Sequence, residues 1–399
     1  MLILVLNSGS SSVKYKLIDT ATEAALAEGG VEKIGLSDGF LKYKRNDGSK
    51  AILELGLTDH QGAIKAILNI LTDPTEGCIK SYDQIDAVGH RLVHGAEKFT
   101  KSVIIDDEVK KMVRECYDLA PLHNPANMTG VEAITALMPD VPQVGVFDTA
   151  FHQTMPAKAY MYALPYRFYA EDGVRRYGFH GTSHRYVSQR VGEFLGVDIT
   201  QKRIITCHIG NGGSITAVYH GKSVDTSMGL TPTEGLMMGT RVGDVDPGVL
   251  TYLMLKHNLT AEQMQKIINK ESGMAGVTEI SSDMREIEAA VNEGNERAQL
   301  GLDMYEYRII KYIGAYAAAM GGVDIIVFTG GVGENQIGLR ADVCAPLAFM
   351  GVEIDPKAND VRGREAIIST PESRVTVCVI PTDEELMIAR DTRDLVAAK

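Results

Sequence analysis

Two short segments combine small residues, hydroxyls and charge in a way that suits an anion. The first is Asn7-Ser8-Gly9-Ser10-Ser11-Ser12-Val13-Lys14. Small residues let backbone N–H groups approach an anion closely, and the hydroxyls add donors. Lys14 brings a point positive charge, and Asn7 can hold a metal-bound water. The spacing is not the Gly-x-x-x-x-Gly-Lys-Ser/Thr of P-loop enzymes. The second segment, His208-Ile209-Gly210-Asn211-Gly212-Gly213-Ser214, offers the same physics. Either one alone reads equally as a hairpin turn. Two in corresponding places, facing each other, fit a polyphosphate held between domains.

Other polar groups cluster around glycine. Thr329-Gly330-Gly331-Val332-Gly333-Glu334-Asn335 follows an apolar run and lets a flat ring approach the backbone, as an adenosine site requires. The densest polar stretch, Arg175 to Arg185, sets Phe179-His180 between two glycines, presenting a ring and an imidazole together. Arg91 and Arg241 each lie beside glycine-rich backbone, and guanidinium forks suit carboxylate and phosphoryl oxygens. Asp148 and Glu384 follow apolar strand-like runs, where carboxylates are natural holders of Mg²⁺, directly or through water. The histidines, His90 and His94 included, have no spacing that favours zinc.

The elements that must position these groups alternate strand and helix, which argues for an α/β fold. The pattern predicts strands at Leu2–Leu6, Val13–Ile18, Arg203–Ile209 and Ile215–Tyr219. Further strands are predicted near Ile85–Val88, Val144–Phe147, Asp324–Phe328 and Val375–Ile380. Each half then reads strand, Gly/Ser tip, strand, a strand ending in glycine, and a strand ending in an acid. We expect two homologous domains facing across a cleft: 1–148 with a C-terminal helix over 385–399, and 149–384. Helices are expected at Ala63–Leu71, Glu108–Tyr117, Leu250–Ile268, from about Met284 to Met320, and at Glu385–Ala398.

The chain has 399 residues, 45% hydrophobic and 23% charged, and a net charge of −12. That is ordinary globular usage and not a disordered, collagen-like or coiled-coil composition. The acidic balance supplies no basic field for nucleic acid. No uncharged apolar run approaches the roughly 18 residues that span a bilayer. Met1–Leu6 runs straight into Asn7 and a Ser/Gly cluster, so it reads as a strand rather than a signal peptide. Five scattered cysteines without a Cys-x-x-Cys read as reduced thiols in a cytoplasmic protein.

Taken together, these blocks resemble the acetate kinase family. The resemblance rests on the Asn7–Lys14 tip, His90-Arg91-Leu92-Val93-His94-Gly95, Leu119 to Pro125, Phe147 to His152, Arg176 to His184, His208 to Ser214, Asp225 to Gly229, Pro232 to Gly248 and Phe328 to Asn335. They run from residue 2 to about 391, nearly the whole chain. The resemblance implies two duplicated actin-like (ribonuclease H-like) domains around an interdomain cleft, and a homodimer. It also implies reversible, in-line phosphoryl transfer from ATP to acetate, giving ADP and acetyl phosphate.

Carried over by position, the resemblance places the nucleotide against Lys14, His208, Ile209, Gly210, Asn211, Gly212, Asp283, Met284, Arg285, Gly331, Val332, Gly333, Glu334 and Asn335. It gives Mg²⁺, with Mn²⁺ as a substitute, to Asn7 and Glu384. Arg91 would bind the acetate carboxylate, with Val93, Leu122, Phe179 and Pro232 around the methyl group. His180 and Arg241 would stabilise the transferring phosphoryl group, and Asp148 would be the active-site acid/base. Ala96 stands where the family commonly has glycine, and Thr233 and Val242 where it commonly has Leu and Ser; none of the three removes a functional group. Acetate is already ionised at neutral pH, so we expect Asp148 to orient Arg91 or metal-bound water rather than act as a base. The alternatives are a propionate or butyrate kinase, which Val93 should disfavour by narrowing the pocket, and an actin-like ATPase, which would have no need of a carboxylate-binding arginine.

Overall fold

The computed structural model describes residues 1–121 and 123–398. Contacts divide it into two compact units, Met1–Phe151 with Asp383–Lys399, and His152–Thr382. The first unit is built on eight strands: β1 Leu2–Ser8, β2 Ser12–Asp19, β3 Ala24–Glu32, β4 Phe40–Arg45, β5 Lys50–Glu54, β6 Ala87–Leu92, β7 Val103–Ile104 and β8 Gln143–Phe147. Their order across the sheet is β5-β4-β3-β2-β1-β6-β8-β7. The second unit has β9 Arg203–Ile209, β10 Gly213–Tyr219, β11 Lys222–Thr226, β12 Ile325–Thr329, β13 Ala366–Ile367 and β14 Thr376–Val379. Their order is β11-β10-β9-β12-β14-β13.

The run β3-β2-β1-β6-β8 therefore has the same order as β11-β10-β9-β12-β14. The pairings match too. β1 is antiparallel to β2 and parallel to β6, and β9 is antiparallel to β10 and parallel to β12. The central strands are covered on both faces, which is why they are apolar throughout rather than alternating. Ile3, Leu4, Val5 and Leu6 are all buried, and so are Ile325 through Phe328.

Helices cover the faces with periodic apolar stripes. The helix His60–Leu71 buries Ala63, Ile64, Ile67, Leu68 and Leu71, and Asp59 caps it by accepting from Gly62 N–H at 2.7 Å. In the second unit the 24-residue helix Glu296–Ala319 buries Tyr305, Ile309, Ile313 and Tyr316. The C-terminal helix Glu384–Ala397 belongs to the first unit and lies against β6. That approach depends on Gly89: a Cβ there would stand 2.5 Å from Thr392 Oγ1 and 2.6 Å from Ile388 Cγ2. The close fit fixes the start of this helix, and with it Glu384, beside Arg91.

Two expected helices are interrupted. The run Leu250–Ile268 is two helices, Pro247–His257 and Ala261–Lys270, because Asn258 turns left-handed at φ 50° and Thr260 with Gln263 starts a new helix through a capping box. The region after Met284 likewise divides, into Met284–Asn292 and Glu296–Ala319, around Gly294 at φ 84°. The helix Pro247–His257 buries none of its residues. No helix among the described residues is long and apolar enough to cross a membrane.

Candidate active site

In the first unit, four elements bring their ends together. Asn7 sits near the end of β1, paired in register with Lys14 across the Gly/Ser turn. Arg91 is the penultimate residue of β6, Asp148 follows β8 directly, and Glu384 opens the C-terminal helix. Arg91 Nε donates to Asp148 Oδ1 at 2.9 Å and Nη2 donates to Oδ2 at 2.6 Å. This bidentate grip holds the guanidinium in one plane. Glu384 Oε2 stands 3.7 Å from Arg91 Nε. Asn7, Lys14, Arg91 and Glu384 line one small cavity.

The charges there are unbalanced. Burial pushes the Glu384 carboxyl up to about 7; Arg91 opposes this and the Asp148 carboxylate adds to it. Burial disfavours the Arg91 cation, but Asp148 and Glu384 more than reverse that and keep it charged. A site crowded with carboxylate, with an amide oxygen beside it, suits a hard cation. Among the described residues no trio of His, Cys, Asp or Glu can enclose a metal. Mg²⁺ needs none, because it keeps several waters and takes its remaining ligands from one or two carboxylates and substrate phosphates. Asn7 and Glu384 therefore fit it.

The residues expected around the methyl group come from both units. Val93 lies just past β6 and is half-buried; its N–H donates to Asn127 Oδ1 at 3.0 Å. Leu122 lies outside the described residues. Phe179 is buried and Pro232 half-buried in the second unit.

The second unit carries His180 and Arg241. His180 occupies the position before the helix Gly181–Leu195 in a left-handed conformation, at φ 54°. Its ring stacks on His208, with centroids 4.2 Å apart. Arg241 donates to the Pro232 carbonyl at 3.0 Å. Gly212 lets the β9–β10 turn approach both groups: a Cβ on it would meet Arg241 Nη1 at 3.2 Å and His180 Cε1 at 3.7 Å. Burial pulls the Arg241 pKa down, and no carboxylate among the described residues pairs with it. An uncompensated, partly buried guanidinium is costly unless an anion arrives.

A cavity of about 670 Å³ lies beside that turn. Of the residues proposed from sequence for the nucleotide, Gly210, Asn211, Asp283, Met284, Arg285, Gly331, Val332 and Asn335 line it. His208, Ile209, Gly212, Gly333 and Glu334 do not. Ile209 points into the core. Glu334 turns inward, where its Oε1 accepts from Gly330 N–H at 2.9 Å and Thr382 N–H at 3.2 Å. Lys14 belongs to the other unit and is exposed. Asp283 and Arg285 bond to each other, and Arg285 holds the Asp283 carboxyl down near 2.

Sequence reasoning missed Gly239, Ser282, Tyr305, Gln336 and Arg362, which share the cavity wall. Ser282 adjoins a proposed contact, and so does Gln336. Tyr305 sits in mid-helix and carried no signal. Arg362 reaches the Asn335 carbonyl. A wholly buried Arg340 ties the neighbouring backbone together, donating to the carbonyls of Gly333 (2.9 Å) and Val361 (2.7 Å).

Comparison with known proteins follows the same outline. The model of the acetokinase family matches residues 2–390. An acetate kinase of Phocaeicola vulgatus is 64% identical over 392 residues, 98% of this chain and 98% of the relative. The crystal structure of Porphyromonas gingivalis acetate kinase has 60% identity and a TM-score of 0.96, covering 99% of each chain. That of a propionate kinase from Francisella tularensis has 39% identity and a TM-score of 0.93, again over 99% of each.

Proposed function

This chain belongs to the acetokinase family, and on that premise we propose that it transfers the γ-phosphoryl group of ATP to acetate, reversibly, giving acetyl phosphate and ADP. The observation that carries the reading is Arg91. Asp148 fixes its guanidinium through Nε and Nη2, and Nη1 makes no bond to a described residue, so one face of the fork is left for a second carboxylate. ATP hydrolysis by water would need no such group, which weighs against an actin-like ATPase.

Acetate is ionised at neutral pH and needs no base. Asp148 orients Arg91, and Arg91 holds the acetate carboxylate. The family resemblance assigns the methyl group to Val93, Leu122, Phe179 and Pro232. His180 offers a donor, and Arg241 offers donors and positive charge, to the equatorial oxygens of the transferring phosphoryl group, in line between acetate and ADP. Asn7 and Glu384 hold Mg²⁺, or Mn²⁺ in its place. When bound, the metal neutralises charge on the phosphate oxygens.

A homodimer and a cytoplasmic location complete the reading. The exposed apolar helix Pro247–His257, with Leu255 86% exposed beside Tyr252 and Val249, is the face we assign to a second copy. Sedimentation of the chain as a monomer would remove that assignment.

The test of the reaction is acyl phosphate formation from ATP and Mg²⁺, trapped with hydroxylamine, across acetate, propionate and butyrate. Strong product with acetate, falling with chain length, is expected. ATP hydrolysis without product from any of the three would overturn the reading.

A further inference from the structure

Ser214 stands between two imidazoles. Its Oγ is 3.0 Å from His180 Nδ1 and 2.7 Å from His184 Nε2. His184 Nδ1 in turn lies 2.7 Å from Thr206 Oγ1. Ser214, His184 and Thr206 are wholly buried. Each hydroxyl carries one proton and each neutral imidazole one N–H, so the direction of the whole row is set at its far end.

At that end the Thr206 hydroxyl has two acceptors in reach. One is His184 Nδ1 at 2.7 Å and the other is the Thr216 carbonyl at 3.5 Å. Effective O–H···O bonds span about 2.5–3.0 Å, so the carbonyl is too far to satisfy a buried hydroxyl. Thr206 therefore donates to His184 Nδ1. His184 then carries its proton on Nε2 and donates to Ser214. The Ser214 hydroxyl has its own proton left for His180 Nδ1, which leaves the His180 proton on Nε2.

We propose that the row Thr206–His184–Ser214 fixes His180 as a neutral imidazole protonated on Nε2, so that it donates a hydrogen bond to a phosphoryl oxygen without carrying charge. Thr206, His184 and Ser214 are positioning residues in this account. The part played by the phosphoryl group rests on the function proposed above; the tautomer does not.

The neighbouring groups favour the neutral ring. The Arg241 guanidinium lies beside the same glycine as His180, and a second cation there would be repelled. His208 stacks on His180, and His152 meets the His184 ring edge-on at 5.8 Å. Burial, with His152 and His208 adding to it, holds His184 neutral.

The experiment is nitrogen NMR of the ¹⁵N-histidine-labelled full chain without substrates, with His180 assigned by loss of its signals in His180→Gln. At about pH 8, well above the ordinary histidine pKa, His180 and His184 should both be protonated on Nε2. In Ser214→Ala and in Thr206→Val the His180 resonances should move toward a tautomer mixture, while Thr206→Ser should keep the wild-type spectrum. In the kinase assay Ser214→Ala should lose about tenfold in kcat through the misplaced donor, with KM for ATP unchanged. A His180 proton on Nδ1, an imidazolium at that pH, or His180 signals unmoved by both Ser214→Ala and Thr206→Val would overturn the proposal. A wild type that shows the expected tautomer yet makes no acetyl phosphate would sink the function and leave the row standing.

Discussion

Asp148→Asn separates an orienting carboxylate from a catalytic base. The side chain keeps its shape, but the charge goes and an amide donor can face the guanidinium of Arg91. Two bonds are at stake, of 2.9 and 2.6 Å, to a carboxylate only 2% exposed. Removing one partner of such a pair costs about 3–5 kcal/mol. Glu384, 3.7 Å from Arg91 Nε, takes up part of the loss, so about 2–3 kcal/mol should reach the transition state, a fall of roughly 30- to 150-fold in kcat/KM for acetate. The assay is hydroxylamine trapping with acetate varied at saturating ATP. If Asp148 orients Arg91, KM for acetate rises with the fall in kcat, and KM for ATP holds. Near-normal turnover with unchanged Mg²⁺ dependence would refute the reasoning. So would a loss confined to kcat together with loss of a titration from the pH profile, which is the mark of a base.

Other consequences can be checked separately. Val93→Ala should widen the acyl pocket and raise kcat/KM for propionate about tenfold, the worth of one methylene; no gain would remove Val93 from the pocket. Glu306 is buried with Oε1 unpartnered, and burial, with Asp342, Asp303 and Glu288 adding to it, raises its carboxyl from 4.5 to about 7. The folded state then binds the extra proton, so stability is full below about 4.5 and falls as pH rises toward about 7, by at most about 3 kcal/mol. Glu306→Gln should be more stable than wild type at high pH and equal at low pH in urea unfolding, and an unchanged pH slope would contradict this. Ala96 has φ 48°, the left-handed region that glycine occupies freely, so Ala96→Gly should raise the unfolding free energy by about 1 kcal/mol, read as a higher urea midpoint at constant m-value; a fall would show that the strain is absent.

Much of this was legible in the chain. Strands buried on both faces are apolar throughout, so Leu2–Leu6, Arg203–Ile209 and Asp324–Phe328 stood out within a residue or two, whereas Ile85–Val88 stopped four residues short of the end of β6, where the run turns polar at His90 and Arg91. The Gly/Ser tips, Asp148 and Glu384 were visible because polar groups at the ends of apolar runs are unusual, and Arg91 and Arg241 because each lies beside glycine-rich backbone. Helix breaks were harder to see. Asn258 and Gly294 interrupt apolar periodicity by turning left-handed, a backbone event with a one-residue signature. Ala96 shows the reverse case: its departure from a common glycine was visible in the chain, but the left-handed φ of 48° that it adopts was not. Side-chain orientation was not legible. Glu334 caps its own turn rather than facing the cavity beside it, and Tyr305 reaches that cavity from mid-helix. Both depend on packing between elements far apart in sequence.

The central claim is that fixed positive charge, and Arg241 above all, stabilises the phosphoryl group in transfer. Its most direct test is Arg241→Ala assayed with and without free guanidinium. The structure leaves Arg241 half-buried beside Gly212 with no carboxylate partner among the described residues, so the variant should lose about a thousandfold in kcat, and added guanidinium should restore a measurable part of it. Turnover within about tenfold of wild type, or a full loss that guanidinium leaves untouched in a folded variant, would contradict the account.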